Sequence, residues 1–170
     1  IEKDIERLQT ITDRFSKIGS EPVLEKRDIV EDTKNTVDYL QTRVSQQVNF
    51  NFEAPQHPIL VEINPALHSW TIENLVKNAI DAMKGKGSLN IGISELEDIV
   101  KISITDSGKG IPKNQFTKVF EPGFTTKKRG WGLGLSLTKR IVQEYHKGKI
   151  KVVHSEIGKG TTMQISYKTA

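Results

Sequence analysis

Wound at about 100° per residue, the segment 70–83 separates its apolar and polar residues by face. Ile72, Leu75, Val76, Ala79, Ile80 and Met83 fall on one side, and Asn74, Asn78 and Asp81 on the other. A solvated helix face ordinarily carries Lys and Glu. Two amides and an acid at i, i+4 and i+7 are poor helix formers that set oxygen ligands in a row; the plain alternative is a merely polar surface. Upstream, Ile1, Ile5, Leu8, Ile11, Phe15 and Ile18 recur at spacings of three and four, which predicts an amphipathic helix over 1–18 with a heptad-like stripe. Gly19-Ser20-Glu21-Pro22 reads as a linker, so that helix is expected to be the last of a separate bundle. A second helix is expected over about 27–44, through Ile29, Val30, Val37, Leu40 and Val44. Alternation predicts strands at 48–52, 59–63, 88–94, 98–105, 149–154 and 161–167, with a hairpin around Glu95-Leu96-Glu97. Asn64-Pro65 signals the start of the central helix and Gly85 and Gly87 its end; a last helix is expected over about 135–146.

Composition narrows the picture by exclusion. The 170 residues suit one domain with one appended element, and the chain, opening on Ile1, is expected to be a piece of a longer protein. With no cysteine there is no disulfide, thiolate zinc site or catalytic thiol. No apolar run approaches the roughly 18 residues of a membrane span, and nothing resembles a signal peptide. The expectation is a soluble, cytoplasmic piece without membrane contact, whether or not its parent is membrane-anchored. Lys+Arg number 25 against 21 Asp+Glu, and the resulting +4 is too mild to imply a nucleic-acid partner. The one dense basic run, Lys127-Lys128-Arg129, adjoins glycines rather than stacking aromatics, which suits phosphate better than bases.

Six of the 13 glycines lie between Gly108 and Gly134, a density that permits positive φ and close approach of backbone to a ligand. Neither a P-loop nor a Gly-x-Gly-x-x-Gly after a strand is present. What occurs instead is an ordered set: Asn74…Asn78-Ala79-Ile80-Asp81-Ala82, Asp106-Ser107-Gly108-Lys109-Gly110-Ile111, Phe120-Glu121-Pro122-Gly123-Phe124, Gly130-Trp131-Gly132-Leu133-Gly134-Leu135 and Gly158-Lys159-Gly160-Thr161-Thr162. The set resembles the N, G1, F, G2 and G3 boxes of the GHKL ATP-binding fold shared by gyrase, MutL, heat-shock chaperones and sensor histidine kinases, and most closely the kinases. Singly each block is weak; five in this order are specific.

The resemblance implies an α/β fold: a two-layer sandwich with a mixed sheet and helices on one face. Residues 21–170 would be the ATP-binding catalytic domain, and 1–20 the end of a dimerisation and phosphoacceptor helical hairpin with its linker. It implies that Asp106 accepts a hydrogen bond from the adenine amino group, supported by the hydroxyl of Thr161 or, as second choice, Thr162. An acceptor there rejects guanine, whose carbonyl has nothing to donate; read without the resemblance, Asp106 is a turn aspartate before glycine. Asn78 matches the magnesium ligand, with Asn74 and Asp81 on the same face. Relatives of the gyrase type carry a water-activating glutamate where Asn74 stands, and an amide cannot take that proton, so simple hydrolysis is expected to be slow. Glu73 points about 100° away, and a surface ion pair with Lys77 is its expected role. Gly108, Gly110 and Ile111 would line the base pocket, and Phe120 and Phe124 match aromatics of the F box. Thr125, Thr126, Lys127, Lys128 and Arg129 would form a lid over the triphosphate. Lys127, Lys128 or Arg129 would neutralise charge on the transferred group, while Gly130, Gly132, Leu133, Gly134 and Leu135 open a helix whose free amides receive phosphate.

The family's phosphoacceptor histidine, followed by Glu or Asp on a helix, is not among His57, His68, His146 and His154. His57 precedes Pro58, His68 lies near a helix start, His146 near a helix end where the dipole favours a cation, and His154 in a strand. The expected function is therefore to bind Mg·ATP and donate its γ-phosphate to a histidine on the hairpin outside this chain, for relay to the receiver domain of a response regulator. The rivals are a non-catalytic ATP-sensing module and a gyrase- or chaperone-type ATPase. A lone trailing helix lacks half its packing partners, so a monomer is expected.

Overall fold

Period-two alternation in five strands builds one mixed sheet, which a computed structural model describes along with the rest of residues 22–44, 46–124 and 134–170. In chain order the elements are β1 (Glu25–Asp28), α1 (Ile29–Gln41), β2 (Val48–Glu53), β3 (Leu60–Ile63), α2 (Pro65–Ala82), β4 (Gly87–Leu96), β5 (Ile99–Asp106), α3 (Gly134–Arg140), β6 (Lys149–Glu156) and β7 (Gly160–Lys168). Two 3₁₀ turns lie at Lys113–Gln115 and Lys118–Phe120, and a π turn, Ile141–Tyr145, continues α3. The sheet order is β2-β4-β5-β7-β6, with β2 parallel to β4 and the other neighbours antiparallel. Leu89, Ile91 and Ile93 of β4, Val100, Ile102 and Ile104 of β5, and Ile165 and Tyr167 of β7 are buried on one face. Onto that face pack Ile29, Val37 and Leu40 of α1 and Ile72, Leu75, Val76 and Ala79 of α2. Each Val, Leu or Ile among them contributes about 1.5–3 kcal/mol on leaving water. The other face is polar, with Thr105 and Thr162 sharing a 2.9 Å hydroxyl bond and Gln164 donating to Ser103. The expected two-layer α/β sandwich is the observed one.

The central helix begins where its sequence signals it. Asn64 caps it, its Oδ1 accepting from the Leu67 N–H at 3.1 Å, and Pro65 takes the first position, where a missing N–H costs nothing. Lys84 (φ 55°) and Gly85 (φ 78°) turn the chain out of it.

Three elements differ from expectation. The helix expected over 27–44 is confined to Ile29–Gln41, because Asp28 caps it and Arg27 lies in β1, paired antiparallel with β3 as a separate two-stranded sheet. From that strand the Arg27 guanidinium grips Asp32 through two bonds of 3.0 and 2.9 Å. The hairpin turns on Glu97-Asp98 alone, with Glu97 at φ 58°, so Glu95 and Leu96 belong to β4. The last helix loosens into its π turn, where the His146 N–H reaches the Ile141 carbonyl at 2.9 Å. The expected helix over 1–18 lies outside the described residues.

His146 does not become the expected helix-end cation. Its Nε2 accepts from the Asn64 backbone N–H at 3.1 Å, which requires a lone pair there, so the proton sits on Nδ1 and points to the Tyr167 hydroxyl at 3.3 Å. Burial pushes the imidazole down to about 4, overriding the dipole. His68 is completely buried between α1 and the sheet, bonded to Thr33 Oγ1 at 2.8 Å, and burial pushes it down to about 3.

Candidate functional site

Asp106 ends β5 on the buried side of the alternation, 8% exposed, and pairs in register with Thr161 of β7. Directly opposed residues of an antiparallel pair share a face, so Thr161 stands beside Asp106 and Thr162 beside Thr105 on the other face. Of the two threonines, Thr161 is the one that shares the face of Asp106. The Asp106 carboxylate accepts from the Gly108 N–H at 2.8 Å. Burial raises its pKa from the ordinary carboxylate value, while backbone hydrogen bonds from Gly108 and Thr161 partly oppose the shift.

The loop after Asp106 is clamped on both sides. The Lys109 N–H donates to the Ala82 carbonyl at the end of α2 (3.0 Å), and the Gly158 N–H donates to the Lys109 carbonyl (2.8 Å). At Gly108 a Cβ would press on the Ala82 carbonyl, and Gly110, at φ 81°, lies against the Glu156 backbone. Gly160 is the tightest position: φ is 128°, and a Cβ would run into the Asp106 carbonyl oxygen. Gly160→Ala is expected to cost roughly 1–3 kcal/mol from backbone strain, with the steric cost added. Gly158→Ala, at φ 81° with no atom within 4 Å, bears the strain alone. Urea unfolding of the two variants measures the difference; equal losses would show that the close approach to Asp106 is unimportant.

The other end of the site lies along α2. Asn74 donates from Nδ2 to Thr138 Oγ1 of α3 at 2.8 Å, and Thr138 donates to the Gly134 carbonyl at 2.7 Å. Because the Thr138 hydrogen is spent on Gly134, Thr138 must accept from Asn74, which fixes the amide with Oδ1 turned towards Gly134. Asn78 is half-buried and Asp81 exposed further along the helix. Glu73 pairs with Lys77 at 3.1 Å as expected, but the pair is not a surface one: the Glu73 side chain is 10% exposed. Phe120 is buried in the main core, while Ile111, Phe124 and Leu135 are half-buried against it. Thr125, Thr126, Lys127, Lys128, Arg129, Gly130, Trp131, Gly132 and Leu133 lie outside the described residues.

Sequence reasoning passed over Ser155 and Thr138. Ser155 Oγ accepts from the Ile111 N–H at 2.7 Å and lies 2.7 Å from Thr161 Oγ1. A serine in a strand carries no signal by itself; its place depends on a register shift between Val152 and His154. Thr138 sits one turn into the helix after the glycines and is invisible until α3 meets α2.

Comparison with known proteins follows the same outline. Residues 67–170 match the family model described as histidine kinase-, DNA gyrase B-, and HSP90-like ATPase. The chain is 39% identical over 121 residues to the sensor histidine kinase ZraS of Escherichia coli K12, covering 71% of this chain and 26% of that protein. It is 32% identical over 174 residues to sporulation kinase E of Bacillus subtilis 168, covering 98% of this chain and 23% of the relative. The chain thus spans about a quarter of the length of these curated relatives. The catalytic domain of histidine kinase ThkA superposes with a TM-score of 0.76 at 27% identity, over 85% of this chain and 95% of that one. ThkA in its complex with the response regulator protein TrrA gives 0.78 at 26% identity, over 99% of this chain and 49% of ThkA.

Proposed function

The chain belongs to the histidine kinase-, DNA gyrase B- and HSP90-like ATPases, and from that premise we propose that it binds Mg·ATP and donates the γ-phosphate to a histidine on a helical hairpin outside these residues, for relay to a response regulator. The observation that carries the reading is Asp106: a carboxylate 8% exposed, held by two backbone N–H groups at the edge of a glycine loop clamped against α2. Such a group suits the exocyclic amine of adenine. From Ala82, where the loop is clamped, back to Asn74 is about 12 Å along α2 at 1.5 Å per residue. A ligand that reaches both ends is elongated, base at one and charge at the other.

At the phosphate end the donors are amides. Among the described residues no three carboxylates or imidazoles gather to hold a cation. Asn78 therefore fits a shared site in which phosphate oxygens complete the shell of a hard divalent ion. When bound, Mg2+ supplies neutralisation of phosphate charge. Asn74, its Nδ2 committed to Thr138, presents no base, and Glu73, the nearest carboxylate in sequence, is tied to Lys77. A water in the site would keep its proton. An imidazole needs no such base: its ring nitrogen attacks in line, the N–P bond forms as the bond from the γ-phosphorus to its bridging oxygen breaks, and ADP leaves. Positioning and charge neutralisation then supply most of the rate, and Lys127 and Lys128 are the candidates for the second.

The similarity to ThkA, solved with a response regulator, supports the downstream step. The test adds a separately produced hairpin in trans with γ-labelled ATP. Acid-labile, base-stable label on the hairpin is expected. Binding without transfer would turn the reading into a nucleotide sensor, and rapid phosphate release into an ATPase.

A further inference from the structure

Ser155 lies outside all five motif blocks, yet its hydroxyl joins three parts of the base pocket. The strand β6 alternates inward through Ile150 and Val152, and continued alternation would turn Ser155 outward. The register shift between Val152 and His154 inserts one extra residue, so that His154 opposes Thr162 and Ser155 opposes Thr161. This β-bulge, beside the candidate site, aims Ser155 inward.

Three contacts then fix where its proton goes. Ser155 Oγ accepts from the Ile111 N–H at 2.7 Å, donates to the Gly160 carbonyl at 3.0 Å, and meets Thr161 Oγ1 at 2.7 Å. A backbone N–H can only donate and a carbonyl can only accept, and a serine has one hydrogen. The single arrangement that serves all three contacts sends the Ser155 hydrogen to Gly160, so Thr161 must donate its own hydrogen to Ser155. The Thr161 hydroxyl is left with lone pairs only. With the Asp106 carboxylate in register beside it, the pair Asp106 and Thr161 offers a ligand acceptors and no hydroxyl hydrogen.

We infer that Ser155 is a positioning residue for base specificity: it locks Thr161 as an acceptor, so that the site takes a 6-amino purine and refuses a 6-oxo purine. The inference rests on the adenine reading of Asp106 and adds to it. A carboxylate alone repels a 6-oxo group, but a threonine free to rotate would welcome one. Removing the lock therefore relaxes discrimination rather than simply weakening binding.

The test is calorimetric titration of the 170-residue chain with Mg·ATP and with magnesium inosine triphosphate, which carries oxygen in place of the 6-amino group. In Ser155→Ala the Thr161 hydroxyl regains its hydrogen, and the ATP-to-inosine-triphosphate affinity ratio is expected to fall about tenfold, the worth of one hydrogen bond. Ser155→Thr, which keeps the hydroxyl, should retain the wild-type ratio. In the Thr161→Val background the effect of Ser155→Ala on the ratio should vanish. Thr161→Val by itself, which leaves Ser155 in place, should weaken ATP about tenfold and spare inosine triphosphate; the opposite pattern would mean that Thr161 donates and would overturn the inference. Equal loss of both nucleotides in Ser155→Ala would leave Ser155 a merely structural anchor of the Ile111 loop and would overturn it too. Failure of the wild-type chain to bind ATP at all removes the adenine reading itself, and a wild type that prefers ATP with an unchanged ratio in Ser155→Ala removes only the role of Ser155.

Discussion

Asp106→Asn is expected to weaken ATP binding by between about tenfold and more than a hundredfold while leaving the fold intact. A charge-assisted hydrogen bond is worth roughly 1.5–3 kcal/mol, and tenfold in affinity is about 1.4 kcal/mol. Asparagine matches the carboxylate in shape and keeps one acceptor, so the Gly108 N–H retains its partner. Its amide nitrogen is a donor where the carboxylate accepted, and it meets the adenine amino group donor to donor. The fold is not expected to suffer. Burial already disfavours the Asp106 charge, as its raised pKa records, so removing that charge relieves a cost that folding bears and binding recovers. Calorimetric titration with Mg·ATP and Mg·GTP, alongside urea unfolding, separates the two effects. The wild type should bind ATP and not GTP, and the variant should lose ATP with an unfolding midpoint no lower than wild type. Undiminished ATP affinity in a folded variant would move the base elsewhere and remove the observation on which the proposed function stands.

How much of this was legible in the sequence depends on the range of the signal. Asn64-Pro65, the apolar stripe of α2 and the alternating strands are local patterns, and each produced its element within a few residues. The order of the glycine blocks singled out Asp106 and the two threonines as candidates, but which threonine shares the face of Asp106 required the strand register. Arg27 was lost to β1 because a periodic pattern does not reveal that β3, more than 30 residues on, offers an edge to pair with. Glu73 shows the same limit: its partner Lys77 is one turn away and legible, whereas its burial depends on what packs over α2. The largest gap is in the polar core. Apolar periodicity counts Thr33, Thr36, His68 and His146 as surface, yet all four are buried and bonded across elements that no window of sequence contains: Thr33 to His68, Thr36 to Ser69, Asn64 to His146.

That polar core should make the chain acid-labile well above the pH at which carboxylates titrate. His68 and His146 are held neutral, at about 3 and about 4, against an ordinary value near 6.5. For His68 burial is the main cause; the neighbouring His146 lowers it further and Asp32 partly opposes the shift. A base whose folded pKa lies below its unfolded one binds protons more readily when unfolded, so acid favours unfolding. The loss begins near pH 6.5 and continues until each folded imidazole protonates, near pH 4 for His146 and pH 3 for His68. Through most of that window the unfolded chain holds two more protons than the folded one from this pair alone. At pH 4.5 the sum is on the order of 5 kcal/mol, comparable with the whole stability of an ordinary domain. Protonation has a structural cost at each ring. At His146 it fills the lone pair that receives the Asn64 N–H and so undoes a bond at the N-cap of α2. At His68 the charged ring carries an N–H on Nδ1 whichever nitrogen is protonated first, and that atom has no hydrogen-bond partner among the described residues. Urea unfolding at pH 7.5, 6.0 and 4.5 should show midpoints falling steeply over the lower interval, and His146→Gln, whose amide can offer an acceptor to the Asn64 N–H without titrating, should flatten the slope by about half. Midpoints that stay level from pH 7.5 to 4.5 would mean that both rings reach water in the folded chain, and a slope of about half the expected size that one of them does. The bonds from Thr33 to His68 and from His146 to Tyr167 would then hold α1 to α2 and the π turn to β7 less tightly than their burial requires.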